Sequence, residues 1–145
     1  PRRFYRELKK IPNLRLIDPI QMSFGITANA KLLITITGTT GWEATLLKKP
    51  VITFGNVFYN ELSMVKRCNV IAELPKLIKE QLEKCSYDEE SLLDLITAIY
   101  KESADIDLAQ IWNIEGSSQM EKKKKAVAPL ADLIASKLNL KSTHA

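Results

Sequence analysis

The stretch TITGTTGWEATLLKKPVITFG, Thr35 to Gly55, constrains the fold of this chain more than any other. β-Branched and apolar residues run up to Gly38, a short helix-like segment follows, and a second β-branched run starts at Pro50 and stops at Gly55. A strand feeding a helix and then a second strand is the βαβ unit of a parallel sheet. The run Lys31–Thr37 is nearly all apolar or β-branched, the pattern of a strand buried on both faces. Pro50 fits the first position of the next strand, where its missing N–H costs no ladder bond.

The flanks extend this pattern. LRLID, Leu14 to Asp18, alternates and then meets Pro19, which predicts a short strand ending in a turn. Helical spacing is expected over Phe4–Ile11 and over Ile20–Ala30, the latter weakened by Gly25. Beyond Gly55, Val70–Ala72 reads as another short strand, and Pro75 suits the opening of a helix. Ser86, with Glu89 three residues on, predicts the cap of a strong amphipathic helix. Gly116, Ser117 and Ser118 read as a loop. Helical spacing then returns through Val127, Leu130, Leu133, Ile134 and Leu138, with Pro129 either kinking that helix or sitting in its first turn. The expected fold class is α/β, a Rossmann-like three-layer parallel sheet with flanking helices. Residues 1–145 read as a single lobe, of which 83–145 form a helical extension.

Composition narrows the function classes. With 145 residues, 46% of them hydrophobic, the chain can bury one core of ordinary size. No apolar run approaches the roughly 20 residues that span a bilayer, and the opening PRRFYRELKK has no apolar signal region. Because the sequence opens at Pro1 without an initiator Met, we expect a piece of a longer, cytoplasmic protein. Cys68 and Cys85 are isolated thiols, which suits a reducing compartment. A net charge of +4 permits an anionic partner without requiring one. The basic residues are dispersed and not interleaved with aromatics, so nucleic acid is not an expected partner. The single histidine, His144, lies at the far terminus, so a histidine base is not expected. Asp105 and Asp107 read as a solvated loop or cap, and no metal or cofactor is expected. Glu121–Lys125 (EKKKK) reads first as a solvated helix start and second as an attraction to an anionic membrane surface.

The Gly38–Gly41 segment occupies the place where parallel sheets collect ligands, beyond the carboxyl end of a strand. Small residues admit a ligand to the backbone. The first turn of the next helix offers unpaired N–H groups and the positive dipole end to phosphate oxygens. Thr39 and Thr40 add hydroxyls. Glu43 would repel a phosphate, and makes sense there if it accepts hydrogen bonds from ribose hydroxyls. The ligand-free alternative is a capping box in which Thr40 caps the helix and Glu43 reaches back to its N–H. No P-loop and no dinucleotide G-x-G-x-x-G fingerprint is present.

TGTTGWEATLLKKPVITFGNVFY resembles the nucleotide-sugar-binding segment of bacterial capsule polysaccharide biosynthesis proteins, glycosyltransferases that include Kdo transferases. It is similar, more distantly, to the same segment of UDP-N-acetylglucosamine 2-epimerases. The specific likeness covers Thr35–Tyr59, and a looser one in element order runs from Asn13 to Leu82. The resemblance implies the C-terminal lobe of a GT-B fold, inactive by itself. It would bind a CMP- or UDP-linked sugar donor, while a separate N-terminal lobe holds a glycan or lipid-linked acceptor. Gly38, Thr39, Thr40 and Gly41 would contact the donor phosphates, and Glu43 the ribose hydroxyls. Asp18 and Pro19 would line the base pocket through backbone atoms. Gly55, Phe58 and Tyr59 would border the sugar or acceptor side. Lys48 stands where many relatives carry Gly, and no role is implied beyond Leu82. Association with the inner membrane would be peripheral.

Overall fold

The computed structural model describes residues 2–18, 20–113 and 119–139. Backbone contacts divide the chain into two compact units, Pro1–Leu92 and Leu93–Ala145.

The first unit is mixed α/β, compatible with a Rossmann-like arrangement. Helix α1 (Arg2–Leu8) and helix α2 (Ser23–Asn29) precede strand β1 (Leu33–Thr35). Helix α3 (Thr39–Leu46) leads to β2 (Val51–Thr53), then β3 (Val65–Arg67) and helix α4 (Leu74–Lys84). The three strands are parallel in the order β1-β2-β3. Leu33, Ile34 and Thr35 sit opposite Val51, Ile52 and Thr53, which in turn face Val65, Lys66 and Arg67. The ladder continues past β1 and β2 through Phe54 N–H to Thr35 O (3.0 Å) and Gly55 N–H to Ile36 O (2.8 Å). Helix α3 packs on β1, β2 and α2, and α4 packs on β2.

The core gathers on the central strand. All of Val51–Thr53 is buried, together with Ala44 and Thr45 of α3, Tyr59, Leu62, Met64, Val65 and Cys68. Gln81 on α4 is buried among them. Its Nε2 donates to Val51 O (3.0 Å) and Met64 O (2.7 Å), so one amide holds the starts of two strands.

Several expectations fall here. Leu14–Asp18 is not a strand. Leu16 and Ile17 are exposed, and an alternating pattern makes a strand only where one face is buried and an edge is paired. The run Lys31–Thr37 is not buried on both faces either. Its strand is only Leu33–Thr35, it pairs with β2 alone among the described residues, and Ile34 and Ile36 are 42% and 68% exposed. Val70–Ala72 gives no strand: Ile71–Glu73 is a 3-10 turn entering α4. The third strand comes earlier, at Val65–Arg67, where backbone pairing to β2 organises a charged stretch.

The second unit is helical over its described residues. Helix α5 (Glu89–Lys101) begins in the first unit and continues into the second, followed by α6 (Leu108–Trp112) and α7 (Met120–Lys137). The cap of α5 is Asp88, not Ser86. Its Oδ1 accepts from the N–H groups of Glu90 (3.1 Å) and Ser91 (3.2 Å), and Ser91 Oγ donates to Oδ2 (2.6 Å). These bonds from Ser91 and Glu90 hold the Asp88 carboxyl below its usual pKa. Pro129 lies inside α7, well past its first turn. Gly116, Ser117, Ser118 and His144 lie outside the described residues.

Candidate functional site

The candidate site is the corner where β1 runs into α3. Thr35 Oγ1 accepts a hydrogen bond from Gly38 N–H (3.1 Å), turning the chain at the strand's end. Gly38 is extended and occupies the N-cap of α3, with no side-chain cap bond. The helix therefore starts at Thr39, earlier than the sequence pattern implies. Thr39, Thr40 and Gly41 form its first turn and not a loop, and the capping box between Thr40 and Glu43, the ligand-free alternative, is not formed.

This shift changes the electrostatics. The first turn of α3 contains no acidic residue. Glu43 is the fifth residue of the helix, half-buried, and lies roughly 6 Å further along the axis than Thr39 at 1.5 Å per residue. At the helix start, Gly41 N–H closes onto Gly38 O (3.0 Å). The N–H groups of Thr39 and Thr40 head the helix, where the helical pattern supplies no partner. Thr39 is exposed and Thr40 half-buried.

Aromatic rings wall one side of this corner. The 3-10 turn Phe58–Glu61 follows β2. The Phe58 ring lies 5.2 Å from that of Trp42 and 5.1 Å, edge-on, from that of Tyr59. Trp42 is half-buried, Phe58 is 52% exposed and Tyr59 is 1% exposed. The Tyr59 hydroxyl donates to Gly38 O (2.6 Å), and burial raises its pKa above the ordinary value of 10.0. Asn60 anchors the same turn: its Nδ2 donates to Gly55 O (3.1 Å) and its Oδ1 accepts from Thr53 Oγ1 (2.8 Å).

Two glycines are accounted for by packing. A Cβ on Gly41 would stand 2.3 Å from the Tyr59 hydroxyl oxygen and 2.8 Å from Cζ, so Gly41 admits the tyrosine ring. A Cβ on Gly55 would stand 2.2 Å from Thr37 Cγ2 and 3.0 Å from Ile36 O, so Gly55 lets β2 run beside the outgoing end of β1. Tyr59 is thus a buried strut beneath the corner and not a ring bordering a ligand.

The structure gathers Gly38, Thr39, Thr40, Gly41, Phe58 and Tyr59 around one point, with Glu43 a turn higher. Gly55 is tied to the same turn through Asn60. Asp18 is not joined to them by any hydrogen bond among the described residues. It is exposed, its Oδ1 accepts from Ile20 N–H (2.9 Å) and its carbonyl from Gln21 N–H (3.0 Å), so it closes its own turn. Its expected place at the end of a sheet strand is lost with that strand. Pro19 lies outside the described residues. Sequence reasoning overlooked Thr35 and Asn60, although a Thr three residues before a Gly and an Asn just past an aromatic pair are both turn signals.

Among the described residues no three His, Cys, Asp or Glu side chains are grouped to hold a metal ion, and no helix is long and apolar enough to cross a membrane. No protein-family model matches the chain, and neither a curated protein nor a solved structure gives a significant match.

Proposed function

We propose that this chain is the nucleotide-sugar-binding lobe of a GT-B-type glycosyltransferase, cytoplasmic and serving capsular or surface polysaccharide synthesis. The observation that carries the reading is the start of α3. An exposed helix N-terminus, free of carboxylates in its first turn, lies at the carboxyl end of a parallel sheet beside the partly exposed rings of Trp42 and Phe58.

In this role the Thr39 and Thr40 N–H groups and hydroxyls take phosphate oxygens, and the helix end stabilises the charge that builds on the departing nucleotide as the glycosidic bond breaks. The acceptor's base comes from the second lobe. A helix terminus contributes about 0.3–1 kcal/mol to an anion, and one base stacked on an aromatic ring about 1–3 kcal/mol. Together these correspond to a dissociation constant in the millimolar range or weaker. The isolated lobe then binds nucleotide weakly and turns over no donor.

A second reading, a non-catalytic α/β module, is favoured by the packing roles of Gly41 and Gly55, which need no ligand. The sugar-nucleotide epimerase alternative uses the same corner and differs only in the whole enzyme, where it would convert donor without an acceptor. Thr39→Glu separates ligand binding from the inert module. A carboxylate in the first turn suits the helix dipole and repels a phosphate. With Trp112→Phe leaving Trp42 as sole indole, titration with UDP and CMP should perturb Trp42 fluorescence saturably. Thr39→Glu should abolish that response while preserving the thermal midpoint. An unresponsive parent protein supports the inert module, and equal binding by the variant shows that the α3 start does not hold the phosphate.

A further inference from the structure

The opposite end of the sheet holds a second, unrelated feature. An open groove of about 430 Å³ lies at the amino ends of the strands, where α2, α3 and α4 finish. Lys31, Lys48, Lys49, Gln81, Cys85 and Tyr87 are among its lining residues, and Glu83 is the one carboxylate among them.

The lysines have an ordinary explanation, because helix C-termini favour cations. The balance of charge goes beyond it. Each helix end supplies about half a negative charge, and in α3 the Ala44 and Thr45 carbonyls are already occupied. Lys48 N–H bonds to Thr45 O (3.0 Å) and Lys49 N–H to Ala44 O (2.9 Å). Lys48 rests over the Tyr87 ring at 4.4 Å and reaches Glu89 only at 4.0 Å. Lys31 and Lys49 have no carboxylate within ion-pair distance among the described residues. Among its lining side chains the groove sets three lysines against one carboxylate.

Its floor is polar and fixed. Gln81 is only 3% exposed, and its Nε2 must face the two strand carbonyls that accept from it. Its Oε1 accepts no hydrogen bond among the described residues, yet no buried side-chain oxygen is left without a partner. That oxygen therefore opens to solvent at the groove which Gln81 lines. An acceptor in a groove lined by three lysines fits an anion that also carries a donor.

We propose that this groove binds a small hydroxylated phosphate ester, the phosphate held by Lys31 and Lys49 and a hydroxyl donated to Gln81 Oε1. The site is separate from the α3 corner and stands whether or not that corner binds a nucleotide. Cys85 reports on it directly, being half-buried in the groove wall, while buried Cys68 reports unfolding. The test is the rate of iodoacetamide alkylation of each cysteine, followed by mass spectrometry, with ribose 5-phosphate as probe. At a probe concentration of ten times its dissociation constant, Cys85 should react about tenfold more slowly. Sodium chloride at equal ionic strength, and ribose alone, should leave the rate unchanged. Lys31→Gln combined with Lys49→Gln should remove the protection with Cys68 still unreactive. Equal slowing by sodium chloride or ribose, no slowing by ribose 5-phosphate, or full protection in the folded double variant overturns the proposal.

Discussion

Tyr59 reaches two residues far from it in sequence, Gly38 through its hydroxyl and Gly41 through its ring. Adding a methyl at Gly41 tests the contact from above. Gly41→Ala gains about 1 kcal/mol of helix propensity, but overpacking a fixed ring costs about 1–3 kcal/mol. We expect a net loss of stability, read from the urea midpoint, and a gain would show that the ring moves freely. Removing the hydroxyl tests the contact from below. Tyr59→Phe should cost about 1 kcal/mol at neutral pH. Burial raises the tyrosine's pKa in the folded state, so the unfolded chain ionises first. The hydroxyl's contribution is complete below about pH 10, the unfolded value, and is lost as pH rises through the higher folded value. The stability gap between the protein and Tyr59→Phe should narrow above pH 10, lysine titration being common to both. A gap that widens there would contradict a buried, neutral donor.

At the scale of elements, α3 ends as distinctively as it begins. Lys48 adopts φ 57°, the left-handed region. The bonds from Lys49 N–H to Ala44 O and from Lys48 N–H to Thr45 O form a Schellman closure. A non-glycine residue there costs roughly 1–2 kcal/mol, against about 0.5–1 kcal/mol for an exposed cation over an aromatic ring. Lys48→Gly should therefore raise the thermal midpoint modestly, and a lower midpoint would mean that the Tyr87 contact outweighs the backbone strain. Helices α2 to α5 were legible because each carries a local period or a breaker such as Pro75. The strands were less so. Leu14–Asp18 has strand alternation without a partner, whereas Val65–Arg67 has two charged residues and a partner, and only pairing to β2 makes it a strand. The cap moved from Ser86 to Asp88 because a side chain directly before the helix reaches the second and third N–H groups better. The corner was legible as a place and misread in detail, since no local pattern announces that Tyr59 fills the space beside Gly41.

Across the whole molecule, the first unit carries both candidate sites at opposite ends of its parallel sheet, the proposed phosphate site at the α3 start and the lysine-lined groove at the strand beginnings. The charged run Glu121–Lys125 lies in the second unit on α7, where Lys124 pairs with Glu121 at 3.1 Å and both are exposed, as a solvated helix start would be. In the proposed function a nucleotide phosphate binds the N–H groups heading α3. Weak binding makes amide nuclear magnetic resonance the direct measurement. On titration of the ¹⁵N-labelled protein with UDP or CMP, the Thr39 and Thr40 amide signals should shift first and furthest, saturating in the millimolar range. Stationary Thr39 and Thr40 signals at nucleotide concentrations well above that range would contradict it.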